Sequence, residues 1–196
     1  MFEYWNNYDI SILSSLPERG ETFHFYREMS LPRSSDVLIL EVPTNLLDWL
    51  ILKVKSADAV NWIGTFEPGV EGISGLYATP CESTLCVIVK GQGYWVPINT
   101  PEEYGLIPSF PIKKVVAVPK GEMMIFVDYS KLVAYGRNGF VWQTPSLSWD
   151  GLEVDNVTLT ELTGLAWDAP THQKVEFKVN LLDGSYTGGS SPTSRP

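Results

Sequence analysis

The sequence predicts a mainly β protein built from repeated antiparallel β-meander units, either all-β or α+β with one short helix. Two observations lead to this prediction. Short apolar runs rich in β-branched and aromatic residues alternate with turns marked by Gly and Pro, as expected for strands joined by tight connections. The same order of strand and turn signals also occurs three times between residues 71 and 187.

A proline followed at five residues by an apolar run marks each repeat. The three prolines are Pro80, Pro119 and Pro170, which stand 39 and 51 residues apart. Pro cannot donate to a strand ladder and Gly tolerates positive φ, so each repeat is expected to contain a Pro turn, an inner strand, a glycine turn and an outer strand. The glycine turn at 136–139 is then expected to occupy the same place in its repeat as the turn at 91–93.

This spacing over residues 75–190 resembles a blade of the quinoprotein or kelch propellers, in which an apolar strand, a glycine turn and a Trp recur. The diagnostic motifs of both families are absent, so the chain is assigned to neither. Three repeats are also fewer than the roughly 4 to 8 blades of a closed ring. A propeller-like arrangement and a β-sandwich therefore both remain open.

Residues 1–70 lie outside the repeats and are expected to form a β/helix segment that packs on them. Strands are predicted at 23–29 and 37–42. Apolar residues recur at helical intervals between Thr44 and Asp58, which predicts a helix there, although the apolar run at 49–54 also fits a buried strand.

Two further segments complete the predicted organisation of a single globular domain. Thr100 to Gly105 contains a capping Thr, a Pro at the first helical position and a terminating Gly, which predicts a short helical turn. Residues 188–196 are rich in Gly, Ser and Pro and are predicted to be a disordered tail, because they can bury little apolar area.

The charge balance restricts the expected partners. Fourteen basic and 23 acidic residues give a net charge of −9, and this excess would repel nucleic acid and anionic membranes. Another protein, possibly a basic one, is the expected partner. No apolar run approaches the roughly 18 residues needed to cross a bilayer, and no export signal is visible, so a soluble cytoplasmic protein is expected. The sequence does not predict the oligomeric state.

The residues usually needed for catalysis or metal binding are sparse. The chain has two histidines, His24 and His172, and two cysteines, Cys81 and Cys86, with no spacing typical of metal ligands. Reduced thiols are expected. No glycine loop opens a helix as a phosphate-binding loop would. We therefore assign no catalytic residue, metal or cofactor from the sequence.

Aromatic residues are the most unusual feature of the composition, with seven Trp, nine Tyr and eight Phe. Tyr94, Trp95, Trp142 and Trp149 follow glycine turns of the repeats, and Asp150 stands beside the last of them. Exposed rings at these positions would anchor a protein or stack on a sugar. The alternative is that the rings pack between sheets.

These observations favour a non-enzymatic protein-interaction module that binds through surface aromatics of a β scaffold. An acidic immunity or inhibitor-type protein is one concrete version. The first alternative is a carbohydrate-binding module that uses exposed Trp. The second is a hydrolase whose carboxylates come from distant parts of the chain.

Overall fold

A computed structural model describes residues 8–15, 22–26, 49–56, 61–118 and 122–191. Within these ranges, sixteen strands form four four-stranded sheets, and the only helical element is a 3-10 turn at Pro101–Glu103. The prediction of a mainly β protein made of repeated meander units is confirmed. No helix in the described ranges has the length and apolar character needed to span a membrane.

The chain divides into two compact units. The N-terminal unit comprises Met1–Ala78 and Glu82–Ile107, and the C-terminal unit comprises Thr79–Cys81 and Pro108–Pro196. Each unit contains two of the four sheets, which we name A and B in the first unit and C and D in the second.

Sheet A has the strand order β1-β3-β4-β2. Its strands are β1 (Tyr8–Leu13), β2 (Thr22–Tyr26), β3 (Leu50–Ser56) and β4 (Trp62–Phe66). The pair β2 and β4 is parallel, and the other two pairs are antiparallel.

Sheet B is an antiparallel meander with the order β5-β6-β7-β8. Its strands are β5 (Gly75–Ala78), β6 (Thr84–Val89), β7 (Gln92–Pro97) and β8 (Gly105–Leu106). Sheets A and B share one apolar core, in which Leu52, Phe66 and Tyr94 are fully buried. The Trp62 indole donates to the Ile98 carbonyl at 2.9 Å, so the polar atom of this buried ring is satisfied.

The helix predicted between Thr44 and Asp58 is wrong over residues 50–56, which form strand β3. This strand lies between β1 and β4, and Leu52 and Val54 are fully buried in it. Residues 52–55 alternate between apolar and basic side chains, as in a strand with one buried face, but the apolar residues between Thr44 and Asp58 also recur at helical intervals. The strand predicted at 23–29 is present as β2, whereas residues 37–42 and 44–48 lie outside the described residues.

Sheets C and D are antiparallel meanders with the orders β12-β11-β10-β9 and β13-β14-β15-β16. The strands of sheet C are β9 (Lys114–Val118), β10 (Met123–Val127), β11 (Leu132–Gly136) and β12 (Gly139–Gln143). Those of sheet D are β13 (Leu152–Val157), β14 (Glu161–Asp168), β15 (Gln173–Asn180) and β16 (Tyr186–Gly188). Their inner faces share a second core that includes Ile125, Ala134, Trp142, Phe177 and Val179.

The predicted equivalence of the two glycine turns is wrong. Gly91 lies between the second and third strands of sheet B, whereas the turn at 136–139 joins the third and fourth strands of sheet C. The prolines also differ in place, because Pro80 and Pro119 follow the first strand of their sheet and Pro170 follows the second. The longer spacing before Pro170 therefore contains one additional strand.

An irregularity in β13 shapes sheet D. Val154 pairs with Gly164 and Asn156 with Thr163, so Asp155 is the extra residue of a β-bulge. A Cβ atom at Gly164 would overlap the Glu153 carbonyl oxygen and would lie 2.8 Å from the Phe177 ring. Glycine at this position therefore permits both the bulge and the packing of Phe177.

The end of the described chain packs against the C-terminal unit. The amide of Gly189 donates to the Glu176 carbonyl at 2.9 Å, and that of Ser190 donates to the Leu147 carbonyl at 2.7 Å. Ser191 is buried. These residues belong to the segment predicted as a disordered tail, so its first four residues are instead bound to the fold, and 192–196 lie outside the described residues.

Replacing Gly164 with alanine is expected to reduce the free energy of unfolding by about 1–3 kcal/mol, since the new methyl group must displace backbone or the Phe177 ring. Urea denaturation followed by tryptophan fluorescence measures this loss. Gly105→Ala is the matched control, because a Cβ there meets nothing within 4 Å. Equal effects of the two substitutions would contradict the packing argument.

Candidate functional site

Three of the predicted binding aromatics lie in the interior. Tyr94 is 0% exposed, Trp95 8% and Trp142 6%. The Tyr94 hydroxyl donates to the Glu67 carbonyl at 2.7 Å, and the Trp142 indole donates to the Leu181 carbonyl at 2.9 Å. The packing alternative therefore describes these three residues, and their rings are not surface anchors in this structure.

Trp149 differs from the other three, since its side chain is 36% exposed. It lies in the connection between β12 and β13, followed by the exposed Asp150 and by Gly151. Gly151 has a φ of +121°, a backbone conformation that favours glycine and allows the chain to turn into β13. The prediction of an exposed ring beside a carboxylate thus fits Trp149 and Asp150.

Hydrogen bonds hold both the backbone and the ring of Trp149. Its amide donates to the Trp167 carbonyl at 3.1 Å, and its indole Nε1 donates to Ser190 Oγ at 3.3 Å. The neighbouring Ser148 hydroxyl donates to the Gly151 carbonyl at 2.7 Å and accepts from the Trp167 amide at 2.9 Å. The loop is therefore fixed to the end of β14.

A buried carboxylate lies beneath this ring. Asp168 is the last residue of β14, and its Oδ1 accepts a hydrogen bond from Ser190 Oγ at 2.5 Å. Its Oδ2 accepts one from the Thr171 hydroxyl. Ser190 thus connects the exposed indole to the buried carboxylate, and the ring position depends on a residue near the end of the described chain.

A second indole and an imidazole meet at the end of β14, where the backbone of Trp149 is bonded. The rings of Trp167 and His172 meet edge to face with centroids 6.1 Å apart. His172 is exposed and has a φ of +53°, in the turn that follows β14. We call the group formed by Trp149, Trp167, Asp168, His172 and Ser190 the Trp149 corner.

The sequence indicated only part of this corner. Trp149 and Asp150 were selected because a Trp precedes an Asp-Gly turn, whereas Ser190 was assigned to a tail. The contact between Trp149 and Ser190 spans 41 residues, so no local pattern could reveal it. Asp168 and Thr171 form a short-range pair across a turn. An Asp three residues before a Thr is the one local pattern in the sequence that indicates a contact of this corner.

Side chains that could bind a metal ion lie apart from one another in the described residues. Among them, no three His, Cys, Asp or Glu side chains are close enough together to hold a metal ion. His24 lies on β2, and its side chain is outside what the structure describes. Both cysteines are free thiols, with Cys86 buried and Cys81 half-buried.

Burial in sheet B alters the acidity of one thiol. It raises the pKa of Cys86, because the thiolate would lose its hydration in the core. The pKa of Tyr77, the cross-strand partner of Cys86, is also raised. Burial is the larger cause, and the nearby Cys86 is the smaller one. The Cys86 thiol is therefore protonated and chemically inert at neutral pH.

Comparisons with known proteins give distant structural likenesses, among them those to Nup159 and Hsv2. No family model matches the chain, and no curated protein matches its sequence. The N-terminal domain of Nup159 is similar at 12% identity with a TM-score of 0.39, over 98% of this chain and 53% of that one. Hsv2 of Kluyveromyces lactis, solved with a complete loop 6CD, is similar at 12% identity with a TM-score of 0.36, over 68% and 43%. This chain spans about half the length of these two structures.

Trp142 and Trp149 of the C-terminal unit should respond differently to truncation. Trp142→Ala is expected to lower the free energy of unfolding by about 3–5 kcal/mol, because it empties a core site and leaves the Leu181 carbonyl unpaired. Trp149→Ala should cost clearly less than Trp142→Ala, because its ring is 36% exposed and lies outside the core. Urea denaturation followed by far-UV circular dichroism compares them, and a larger loss for Trp149→Ala would contradict the assignment.

Thiol labelling tests the burial of Cys86. One thiol of the folded protein, Cys81, is expected to react rapidly with an aromatic disulfide reagent, and two should react in denaturant. A Cys81→Ser variant should show no rapid phase until it is unfolded. Rapid labelling of that folded variant would show that Cys86 is accessible.

Proposed function

We propose that this chain is a non-enzymatic protein-binding module whose principal anchor is the indole of Trp149. The observation that carries the proposal is the position of this ring, exposed at the surface yet fixed by hydrogen bonds from its amide and its indole nitrogen. Tyr94, Trp95 and Trp142 are excluded from this role by their burial.

A fixed, exposed indole suits protein recognition for two physical reasons. Its large apolar area contributes favourably when a partner covers it, and Trp is enriched among residues that dominate interface energies. Because the ring is already held in place, less side-chain entropy is lost on binding than for a freely rotating residue.

The polar groups of the corner support binding rather than catalysis. Both oxygens of Asp168 accept hydrogen bonds from hydroxyl groups, those of Ser190 and Thr171. Asp168 is also only 7% exposed, so a substrate has little access to its oxygens. We therefore interpret Asp168 as a support for the ring.

The acidic charge of the chain is unevenly distributed. Residues 1–107 contain 14 acidic and 6 basic side chains, whereas residues 108–196 contain 9 and 8. The Trp149 corner lies in the nearly neutral part, so burial of apolar area, not net charge, would provide most of its affinity. The version in which the chain is an acidic inhibitor of a basic protein would depend on the N-terminal unit.

A carbohydrate-binding role is the second candidate. It is favoured by the exposed Trp149 ring standing next to the exposed Asp150 carboxylate, since sugar sites combine a stacking surface with acceptors for hydroxyl groups. A neutral sugar that shifts or quenches the emission of the wild type, but not that of Trp149→Phe, would favour this candidate.

Protein binding is tested by affinity capture with matched variants. Trp149→Ala is expected to reduce the recovery of a specific, stoichiometric partner at least tenfold, as a truncated interface anchor would. Phe140→Ala is the control, because that ring is 53% exposed on β12 of the same unit. Circular dichroism establishes that both variants are folded.

Two results would contradict the proposal. One is the absence of any partner that the wild type binds specifically. The other is equal recovery with Trp149→Ala and Phe140→Ala, which would show that the corner does not anchor the partner.

A further inference from the structure

Sheet D carries an open groove of about 510 Å³ on the face that points away from its core. The residues that line it come from all four strands. They are Asp155, Thr163, Gly164, Leu165, Glu176, Phe177, Lys178, Thr187 and Gly188.

One inward-facing row of the sheet lies between the two rows of outward side chains that flank the groove. Gly164, Phe177 and Gly188 are register partners on β14, β15 and β16. The Phe177 ring points into the core, where it is 2% exposed, and the two glycines have no side chain. The backbone of this row forms the floor of the groove.

The neighbouring rows form the walls. On one side Thr163, Lys178 and Thr187 are register partners, and on the other side Leu165 pairs with Glu176. Because successive residues of a strand face opposite sides of the sheet, all five project from the outer face. One wall thus carries hydroxyl groups and an amine, and the other carries an apolar side chain and a carboxylate.

The β-bulge adds a second carboxylate. Asp155 is the extra residue of β13, and it lines the groove. Bulges alter the direction of a side chain and often occur beside functional sites. Gly164 makes this bulge possible, because a Cβ there would overlap the Glu153 carbonyl oxygen.

The charges on this face are not balanced. Lys174 is paired with Glu153 at 2.6 Å, and Lys178 is paired with Glu161 at 3.2 Å. Within the described part of the chain, Asp155 and Glu176 form no ion pair. Lys114 Nζ donates to the Val154 carbonyl at 3.3 Å, next to Asp155 in the chain, without pairing with that carboxylate. The groove therefore contains two carboxylates that have no ion-pair partner among the described residues, while Lys174 and Lys178 are each paired with another glutamate.

We propose that this groove binds an arginine side chain of a protein partner. The guanidinium interacts with the carboxylates of Asp155 and Glu176, and the aliphatic stem lies along Leu165. Arginine fits better than lysine, because its planar group has five donors and loses less hydration when it is partly covered. The inference rests on the proposed function in one respect, that the occupant is part of a protein.

The groove lies on the same face of β14 as the Trp167 side chain of the Trp149 corner. Thr163, Leu165 and Trp167 alternate along β14 and face the same side, so Trp167 occupies the row next to Leu165 and Glu176. A peptide that covers Trp167 can therefore extend an arginine into the groove.

NMR titration of the full chain tests this inference directly. The probe is acetyl-Gly-Arg-Gly-amide at millimolar concentration, and the neutral control is the same peptide with citrulline in place of arginine. Saturable shifts are expected for the backbone amides of Leu165, Glu176 and Lys178. The citrulline peptide should bind at least about fivefold more weakly, because it lacks the charge.

Two substitutions and one control make the test specific. Glu176→Gln and Asp155→Asn should each raise the Kd of the arginine peptide about three- to fivefold. Asp183→Asn removes the same charge from an exposed site outside the groove and should leave the Kd unchanged within twofold. The inference is overturned if both peptides bind equally, if the shifts occur elsewhere, or if Asp183→Asn weakens binding as much.

The two proposals can fail separately. If Trp149→Ala abolishes partner capture but the arginine peptide does not shift the groove amides, the arginine site is wrong and the protein-binding function stands. If the peptide binds in the groove but no partner depends on Trp149, the arginine site stands and the corner is not the anchor.

Discussion

The packing of Phe177 between two glycines constrains sheet D on both of its faces. On the inner face, the ring fills the core shared with sheet C, and Gly164 leaves the space that the ring needs. On the outer face, the backbone of the same row lines the groove between the flanking side chains. Gly164 therefore leaves space for Phe177 in the core, and the bulge that it permits includes Asp155, which lines the groove.

The tryptophans of the C-terminal unit show how one side chain serves two purposes. Trp142 satisfies its indole nitrogen with a backbone carbonyl and contributes to the core. Trp149 satisfies its nitrogen with a serine hydroxyl, which itself bonds to a buried carboxylate. The first arrangement removes the ring from solvent, whereas the second fixes it at the surface, where it contributes area to a partner.

The sequence indicated where strands occur, but not which place each strand takes in its sheet. Apolar runs bounded by Gly and Pro, such as 84–89, were visible because strand and turn residues differ chemically. The place of Gly136 in its sheet was not visible, since a glycine turn looks the same after the second strand as after the third. The helix prediction over strand β3 is wrong because its apolar residues also fit helical intervals, although residues 52–55 alternate as in a strand. The Trp149 corner depends on contacts between residues far apart in the chain, and local spacing does not reveal such contacts.

The bulge in β13 also has a consequence for self-association. This strand is at the edge of sheet D, where a regular strand would offer its free amides and carbonyls to another chain. An extra residue there breaks the register, and it carries a negative charge. A second molecule cannot extend the ladder in phase, so the device that shapes the groove also discourages the stacking of sheets into fibres.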